Sequence, residues 1–378
     1  MTMNKLLQIR DQIDDIDSQI YDLFAKRLDL SCEVAEYKIA NNMNVFDPVR
    51  EEEKLDNIAI RSDDAFLSQG MVELFSQIMS ISKKKQYRML AEAGRVWQND
   101  FTCVEKLDFT DATVVYQGVE GAYSQKAALT FFGEMKRAFH VATWRDAMEA
   151  LKSHKADYAV LPIENSTAGS VVENYDLMSE YDVSIIGEQI IEVDHALLGL
   201  PGATLSDIRT VYSHPQAILQ CDGFLRAHPK IKAVTLENTA VSAKKVRDDG
   251  DVSQAAIAGE INAQLYDLSL LERSIQDVTD NKTRFIIVTD KHIFRRDAET
   301  ISLCFELHHE KGTLYQSLSH FIFNGLNMTR IESRPTRKKQ WQYRFFVDFL
   351  GNLNEDAVIN ALRGLAEETN GLRVLGNY

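Results

Sequence analysis

An arginine interrupts an apolar helical stripe near the amino terminus. From residue 6 to residue 37, apolar side chains recur at alternating spacings of three and four, and Arg27 occupies one place in that series. Such spacing is typical of a helical packing seam. A guanidinium group in a seam loses hydration that apolar neighbours cannot replace. The sequence therefore predicts that an anion meets Arg27.

A second cation shares the stripe of Arg27. Lys38 follows it by eleven residues, which returns a helix to within about 20° of the same azimuth, about 16 Å further along its axis. Arg10 precedes both on the same helix, which we predict over about 6–41. Cations on one stripe predict a site for a doubly charged small anion. The alternative is a dimerisation arm whose charges are solvated.

Further polar residues follow on two shorter helices. Asp47-Pro48 predicts a helix start, with aspartate as the N-cap and proline at the first helical position. Arg50 and Glu51 then lie in the first turn of that helix. A third helix is predicted over about 65–91, where Ser82 and Gln86, four residues apart, face the same way.

The chain divides into segments with different periodicities. Residues 1–92 are predicted to be almost purely helical, and residues 93–111 a linker. Residues 112–292 alternate strands and helices, which predicts an α/β fold with a mainly parallel sheet. Residues 298–378 follow the order β-α-β-β-α-β, which is typical of the α+β ferredoxin-like fold.

Composition narrows the possible partners and location. The net charge of −14 argues against nucleic acid, and no apolar run is long enough to cross a membrane. The four cysteines are far apart and have no metal-ligand spacing, and the amino terminus lacks a signal-peptide pattern; both favour the cytoplasm. Lys83-Lys84-Lys85 is interpreted as a solvated helix face.

The α/β segment carries polar motifs at the ends of predicted strands. Residues 118–124 contain two glycines but lack the third glycine of a dinucleotide loop, so a carboxylate at the helix start is the better interpretation. Residues 162–169 place small polar groups after a proline. Residues 212–216 follow another strand, and Thr283-Arg284-Phe285 precedes the last one.

The helical pattern resembles the all-helical chorismate mutases. That resemblance implies an intertwined homodimer in which Arg10 reaches the partner's pocket. It also implies that Arg27 binds a carboxylate of chorismate, that Lys38 and Gln86 face the ether oxygen, and that Glu51 meets the hydroxyl. The pocket would be completed by Asp47, Arg50 and Ser82.

The α/β motifs, in their order, are similar to those of prephenate dehydratases. The resemblance implies two lobes around a cleft, as in type-2 periplasmic binding proteins, with the chain leaving the first lobe near residue 192 and returning near 270. It makes Thr283 the proton donor, and Thr239 a further contact. The implied site consists of Asn165, Ser166, Thr167, Ser213, Gln220, Thr283 and Arg284.

The last segment is similar to the ACT domains that follow prephenate dehydratases and bind phenylalanine at a dimer interface. The matching residues are Gly312, Thr313, Leu314, Glu332, Ser333, Arg334 and Pro335, with threonine at 313 where alanine is usual. An alternative is a dimerisation domain without a ligand.

The three resemblances together imply a bifunctional enzyme that makes prephenate and then phenylpyruvate without a cofactor or metal, inhibited by L-phenylalanine. Two alternatives are a mutase joined to a prephenate dehydrogenase and a mutase joined to a non-catalytic amino-acid sensor. The first would need a complete dinucleotide loop, which the sequence lacks.

Overall fold

The computed structural model describes residues 2–95, 97–307, 310, 312–336 and 342–378, with side chains from residue 5 onward. Parts of the predicted linker and of the predicted C-terminal domain, at 96, 308–309, 311 and 337–341, lie outside the described residues, as does residue 1. The chain forms two compact units. The first comprises residues 1–100 and 299–374, and the second comprises residues 101–298 and 375–378.

Helices and strands are numbered in chain order. The helices are α1 Thr2–Ala40, α2 Pro48–Ala59, α3 Ala65–Glu92, α4 Tyr123–Phe132, α5 Trp144–Lys152, α6 Val172–Glu180, α7 Pro215–Gln220, α8 Asp222–Ala227, α9 Thr239–Asp249, α10 Ile261–Leu265, α11 Thr313–Phe323 and α12 Asp356–Glu368. The strands are β1 Thr102–Val104, β2 Thr113–Gln117, β3 Arg137–Val141, β4 Tyr158–Asn165, β5 Gly169–Ser170, β6 Ser184–Glu192, β7 Ala196–Gly199, β8 Thr210–Ser213, β9 Lys232–Thr235, β10 Gln254–Ala258, β11 Ser269–Glu272, β12 Lys282–Thr289, β13 Ile293–Arg295, β14 Thr300–Glu306, β15 Met328–Pro335, β16 Tyr343–Leu350 and β17 Asn370–Asn377.

The first unit begins with the three predicted helices. The carboxylate of Asp47 accepts the backbone N–H of Arg50 at 3.1 Å, which confirms the predicted start of α2. The apolar stripe of α1 is left uncovered by the part of the chain that the structure describes, since its residues are between 44% and 68% exposed. These residues are Leu6, Ile9, Ile13, Ile16, Ile20, Leu23, Leu30, Val34 and Tyr37. Such a stripe on a long helix is expected to pack against another helix.

Residues 299–374, here the C-terminal segment, confirm the predicted β-α-β-β-α-β order. Within this unit the strands lie in the order β15-β16-β14-β17, and β16 is antiparallel to both β14 and β15. Helices α11 and α12 pack against α3. The interpretation of the lysine run as a solvated face is therefore wrong. Lys83 and Lys84 are only 8% and 3% exposed, because the C-terminal segment covers that face of α3.

The second unit consists of two lobes, each built on its own sheet. The first sheet has the order β3-β2-β4-β12-β6, and the second has the order β11-β7-β10-β8-β9. The predicted mainly parallel arrangement is wrong, since β12 is antiparallel to β4 and β6, and β7 is antiparallel to β10 and β11. The chain leaves the first sheet after Glu192, forms the second, and returns at Lys282 rather than near residue 270, because β11 still belongs to the second sheet. Strand β12 starts beside the end of β6, with Lys282 paired to Glu192, and therefore runs antiparallel to it.

A short strand lies within the predicted linker. Strand β1 pairs in parallel with β13, so part of residues 93–111 belongs to the second unit. Among the described residues, no helix has both the length and the apolarity that a membrane span requires.

Candidate active sites

The three amino-terminal helices line an open cavity of about 410 Å³. Its lining includes all but one of the polar residues predicted from the helical segment, and the exception is Arg10, which is exposed. The predicted residues that line the cavity are Arg27, Lys38, Asp47, Arg50, Glu51, Ser82 and Gln86. The shared stripe of α1 thus brings Arg27 and Lys38 to one cavity, as their spacing predicts.

Arg27 is held in this cavity by a neutral partner. Its Nη1 donates to Ser82 Oγ at 2.6 Å, and Ser82 Oγ in turn donates to the backbone carbonyl of Ile78 at 2.9 Å. Burial lowers the pKa of Arg27 from its ordinary value. Among the described residues, no carboxylate lies within ion-pair distance of Arg27, so its charge is available to a ligand.

Lys38 and Glu51 are two further charged residues of the lining. The Lys38 Nζ donates to the carbonyl of Val45 at 2.6 Å, and burial lowers the pKa of Lys38 although Asp47 opposes that shift. Burial raises the pKa of Glu51, and nearby Lys83 opposes the rise. A cavity of this size with cations along one wall is suited to a small dicarboxylate.

A second cavity, of about 250 Å³, lies in the two-lobed unit. Three residues of the predicted site line it, namely Asn165, Gln220 and Thr283, and so does Thr239 from the start of α9. Asn165 and Thr283 are register partners on β4 and β12. The Asn165 Nδ2 donates to Thr283 Oγ1 at 2.9 Å, so the amide orients that hydroxyl.

Asn165 also organises the turn after β4. Its Oδ1 accepts the backbone N–H of Thr167 at 3.1 Å and that of Ala168 at 2.9 Å. Thr167 Oγ1 then accepts from Gln220 Nε2 at 2.7 Å. One asparagine therefore connects the turn, the hydroxyl of Thr283 and the side chain of Gln220.

Comparison with known proteins identifies the family that each of the two cavity-containing regions matches. Residues 9–87 match the family Chorismate mutase type II, and residues 114–293 match the family Prephenate dehydratase. A bifunctional chorismate mutase/prephenate dehydratase from Aquifex aeolicus is 32% identical over 383 residues, which cover 100% of this chain and 98% of that protein. The chain belongs to the bifunctional chorismate mutase/prephenate dehydratase family. It is therefore an enzyme with both activities, converting chorismate to prephenate and prephenate to phenylpyruvate.

Solved structures resemble about 70% of the chain. A prephenate dehydratase from Arthrobacter aurescens, in complex with L-Phe, is 31% identical with a TM-score of 0.65, and the match covers 70% of this chain and 89% of that one. A quorum quenching acylase, GqqA, is 30% identical with a TM-score of 0.63, over 70% of this chain and 96% of that one.

The cavity of the helical segment is also lined by two lysines that the sequence analysis did not name as site residues. Lys54 and Lys83 both line it. Burial lowers the pKa of Lys54, and the nearby Arg27 and Arg50 lower it further. Lys54 follows Arg50 by four residues, so helical spacing could have identified it. Lys83 belongs to a lysine run, and no periodicity distinguishes it from its neighbours.

The cavity of the two-lobed unit is also lined by a histidine and a tyrosine that no motif indicated as site residues. His195 is 2% exposed, and burial lowers its pKa although Gln220 and Asp194 oppose the shift. Its Nε2 lies 3.0 Å from Gln220 Oε1, and its Nδ1 lies 3.4 Å from the hydroxyl of Tyr123. Tyr123 belongs to the turn at 118–124, whereas His195 follows a strand without any distinctive pattern.

Four residues of the predicted dehydratase site do not line the cleft cavity. Ser213 is buried and its Oγ donates to the carbonyl of Ile257 at 2.6 Å, which joins β8 to β10. Ser166 Oγ accepts the backbone N–H of Lys282 at 2.9 Å, and Thr167 contacts Gln220 as described. Arg284 Nε lies 2.7 Å from Glu188 Oε2, so Arg284 forms an ion pair that joins β12 to β6.

The candidate effector residues occupy two places in the C-terminal segment. Gly312 precedes α11 with φ +83°, a backbone conformation that favours glycine, and a Cβ there would meet no atom of the described chain within 4 Å. Thr313 and Leu314 open the helix. On β15, Glu332 and Arg334 share one face, while Ser333 and Pro335 lie on the more exposed face.

Proposed function

We propose that the cavity of the helical segment is where chorismate rearranges, and that the cleft of the two-lobed unit is where prephenate is dehydrated. The observation that carries the first assignment is the Arg27 guanidinium, which is fixed by neutral Ser82 and shares its cavity with Lys38. These two partly buried cations form no ion pair among the described residues, so they can stabilise a dianion without first breaking other charge contacts.

The rearrangement of chorismate is pericyclic and needs no nucleophile, metal or cofactor. Arg27 pairs with a substrate carboxylate and fixes the compact conformer that reacts. Lys38 and Gln86 stabilise the negative charge that develops on the ether oxygen. Glu51 accepts the substrate hydroxyl. The cap by Asp47 sets the first turn of α2 and thereby the places of Arg50 and Glu51.

Gln86 supports this role through its amide. Its Nε2 donates to Ser31 Oγ at 3.0 Å, while its Oε1 is buried without a hydrogen-bond partner among the described residues. The serine hydroxyl can also donate, so a half-turn of the amide preserves the bond to Ser31 and frees the NH₂ group. That NH₂ group is then the donor that the ether oxygen requires.

In the cleft, prephenate loses carbon dioxide and water. The electron pair of the breaking C–CO₂ bond enters the ring as the ring C–O bond breaks, and the departing hydroxide takes a proton to leave as water. Because Asn165 Nδ2 donates to Thr283 Oγ1, the hydroxyl hydrogen of Thr283 points elsewhere. Thr283 lines the cavity and donates that proton, which solvent then restores.

Arg10 and the exposed stripe of α1 support a homodimer. The stripe needs a covering surface, and a second copy of α1 offers a matching one. Arg10 is exposed within the chain, so in our proposal it serves the pocket of the partner. The four cysteines lie far apart in the sequence, which fits the reducing, cytoplasmic location that we also propose.

Mixing two inactive variants tests this shared pocket. We expect Arg10→Ala and Arg27→Ala each to lack mutase activity as pure dimers. Co-expressed, they should recover about a quarter of the wild-type mutase activity, because about half of the dimers are mixed and one pocket of each mixed dimer is intact. Chorismate consumption by the mixture is the measurement. A mixture no more active than either parent would show that Arg10 acts within its own chain or not at all.

For regulation, we propose that residues 298–378 form an ACT domain that binds L-phenylalanine, next to a mutase domain at 1–92, a linker at 93–111 and a dehydratase domain at 112–292 in a two-lobed, periplasmic-binding-protein-like arrangement. The complex of the Arthrobacter aurescens relative with L-Phe supports the choice of effector. The open space beside Gly312 supports its place, together with the other candidate residues of α11 and β15. Exposed Tyr315 and Ile331 favour a dimer contact there.

Substitutions of two glycines, one on each side of α11, test the effector site. Gly312→Ala puts a methyl group where the ligand approaches, so we expect the L-phenylalanine concentration for half inhibition of dehydratase to rise roughly tenfold. Gly325→Ala is the matched control, because Gly325 also has a positive φ, +68°, and open space around it. An equal loss of inhibition in both variants would argue against a ligand at Gly312.

A further inference from the structure

Lys83 lies between two carboxylates that come from distant parts of the chain. Its Nζ is 3.1 Å from Glu51 Oε2 and 3.0 Å from Glu368 Oε1. Glu51 lines the mutase pocket, whereas Glu368 is the last residue of α12 in the C-terminal segment. The side chains are 10% exposed for Lys83, 25% for Glu51 and 7% for Glu368. The contact therefore leads from the C-terminal segment directly to the pocket wall.

Glu368 is a well-anchored end of this contact. Its Oε2 lies 3.2 Å from Nε2 of His320, which is 1% exposed on α11. Burial by itself would raise the pKa of Glu368, but His320 and Lys83 outweigh it and hold that pKa at about 2. Glu368 is accordingly an anion at neutral pH, fixed by its own segment on one side.

The neighbouring contacts hold α11 and α12 against the helical segment. Lys84 Nζ donates to Ser319 Oγ at 2.8 Å, and Glu367 Oε2 accepts the backbone N–H of Phe46 at 3.0 Å. Both contacts lie beside the Lys83 pair without including Glu51 or Glu368. They dock the segment, whereas the Lys83 contact also reaches a pocket residue.

We propose that Glu368 is a positioning residue for the chorismate mutase reaction. It holds the ammonium group of Lys83, and Lys83 in turn holds Glu51 where it meets the substrate hydroxyl. A lysine has a long flexible stem, so a single carboxylate leaves its ammonium several placements, and two opposed carboxylates leave it one. The C-terminal segment thus completes the mutase pocket. This inference rests on the proposed role of Glu51.

Glu368→Gln in the full-length enzyme tests the inference. The contact of Glu51 with the hydroxyl is made both in bound chorismate and in the transition state, so its loss raises KM more than it lowers kcat. We expect the mutase KM to rise about tenfold, with kcat within about twofold of wild type, and dehydratase parameters on supplied prephenate to be unchanged. A mutase KM equal to that of wild type would overturn the inference. A lower kcat at unchanged KM would also overturn it, because that result indicates loosened docking alone.

Further variants separate this inference from the assignments on which it rests. Ser319→Ala removes a docking contact that does not include Lys83, and it should leave the mutase KM unchanged. In a Glu51→Gln background, Glu368→Gln should add no further rise in KM, and additive effects would overturn the inference. If Glu51→Gln itself leaves KM unchanged, the proposed role of Glu51 fails together with this inference. If Glu51→Gln raises KM and Glu368→Gln does not, this inference alone fails.

Discussion

Arg27→Ala is expected to remove most mutase turnover and to leave dehydratase activity on supplied prephenate intact. Breaking a desolvated charge pair by removing one partner costs about 3–5 kcal/mol, which corresponds to a loss of roughly 10²- to 10⁴-fold in kcat/KM. The measurement is chorismate consumption and, separately, phenylpyruvate formation from prephenate. The variant should fold, because Ser82 Oγ keeps its own donation to the carbonyl of Ile78.

Arg88 provides the matched control for this prediction. It lies on α3 with a side chain 68% exposed and an ion pair to Glu92 at 4.0 Å. Arg88→Ala changes net charge by the same amount without altering the pocket, so its mutase activity should equal that of wild type. An equal loss of both activities in Arg27→Ala would show that the two reactions do not use separate sites.

Thr283→Val should have the reverse effect, with dehydratase activity lost and mutase activity retained. Removal of a positioned proton donor typically costs about 10²- to 10⁴-fold, and valine keeps the size of threonine. The variant should fold, since Asn165 Nδ2 retains its other acceptors, Asn281 Oδ1 at 2.8 Å and the carbonyl of Lys282 at 3.1 Å. Phenylpyruvate formation from prephenate is the measurement.

Thr283→Ser is the companion variant that makes this result specific. Serine restores a hydroxyl on β12 within reach of Asn165, so we expect dehydratase activity within about tenfold of wild type. If Thr283→Val retains full dehydratase activity, the proton comes from another group of the cleft, and His195 with Tyr123 would be the next candidates.

Together, the mirrored outcomes would show two independent sites on one chain. That independence is expected because each cavity lies within a single compact unit, the proposed mutase pocket in the first and the proposed dehydratase cleft in the second. Glu368→Gln would refine this picture, since it would affect only the mutase although Glu368 lies in the C-terminal segment.

Patterns among residues close together in the sequence were enough to predict several features of the fold and of the helical cavity. The spacing of Arg27 and Lys38 placed them on one wall because the geometry of a helix is set by its own backbone. The cap at Asp47 was predictable for the same reason, since capping involves only neighbouring residues. The β-α-β-β-α-β order and the match of Thr283 and Asn165 to dehydratase motifs likewise depend on runs of adjacent residues.

Tertiary structure decided which side chains are covered and by what. From the sequence, the lysine run is interpreted as a solvated face. In the structure, α11 and α12 pack on α3 and bury Lys83 and Lys84. Ser213 follows a motif at a strand end, yet its hydroxyl is used by the carbonyl of Ile257. His195 joins the cleft only because the chain crosses between two sheets near it. Such contacts join residues far apart in sequence, and their energies depend on burial and on partners that no local spacing encodes.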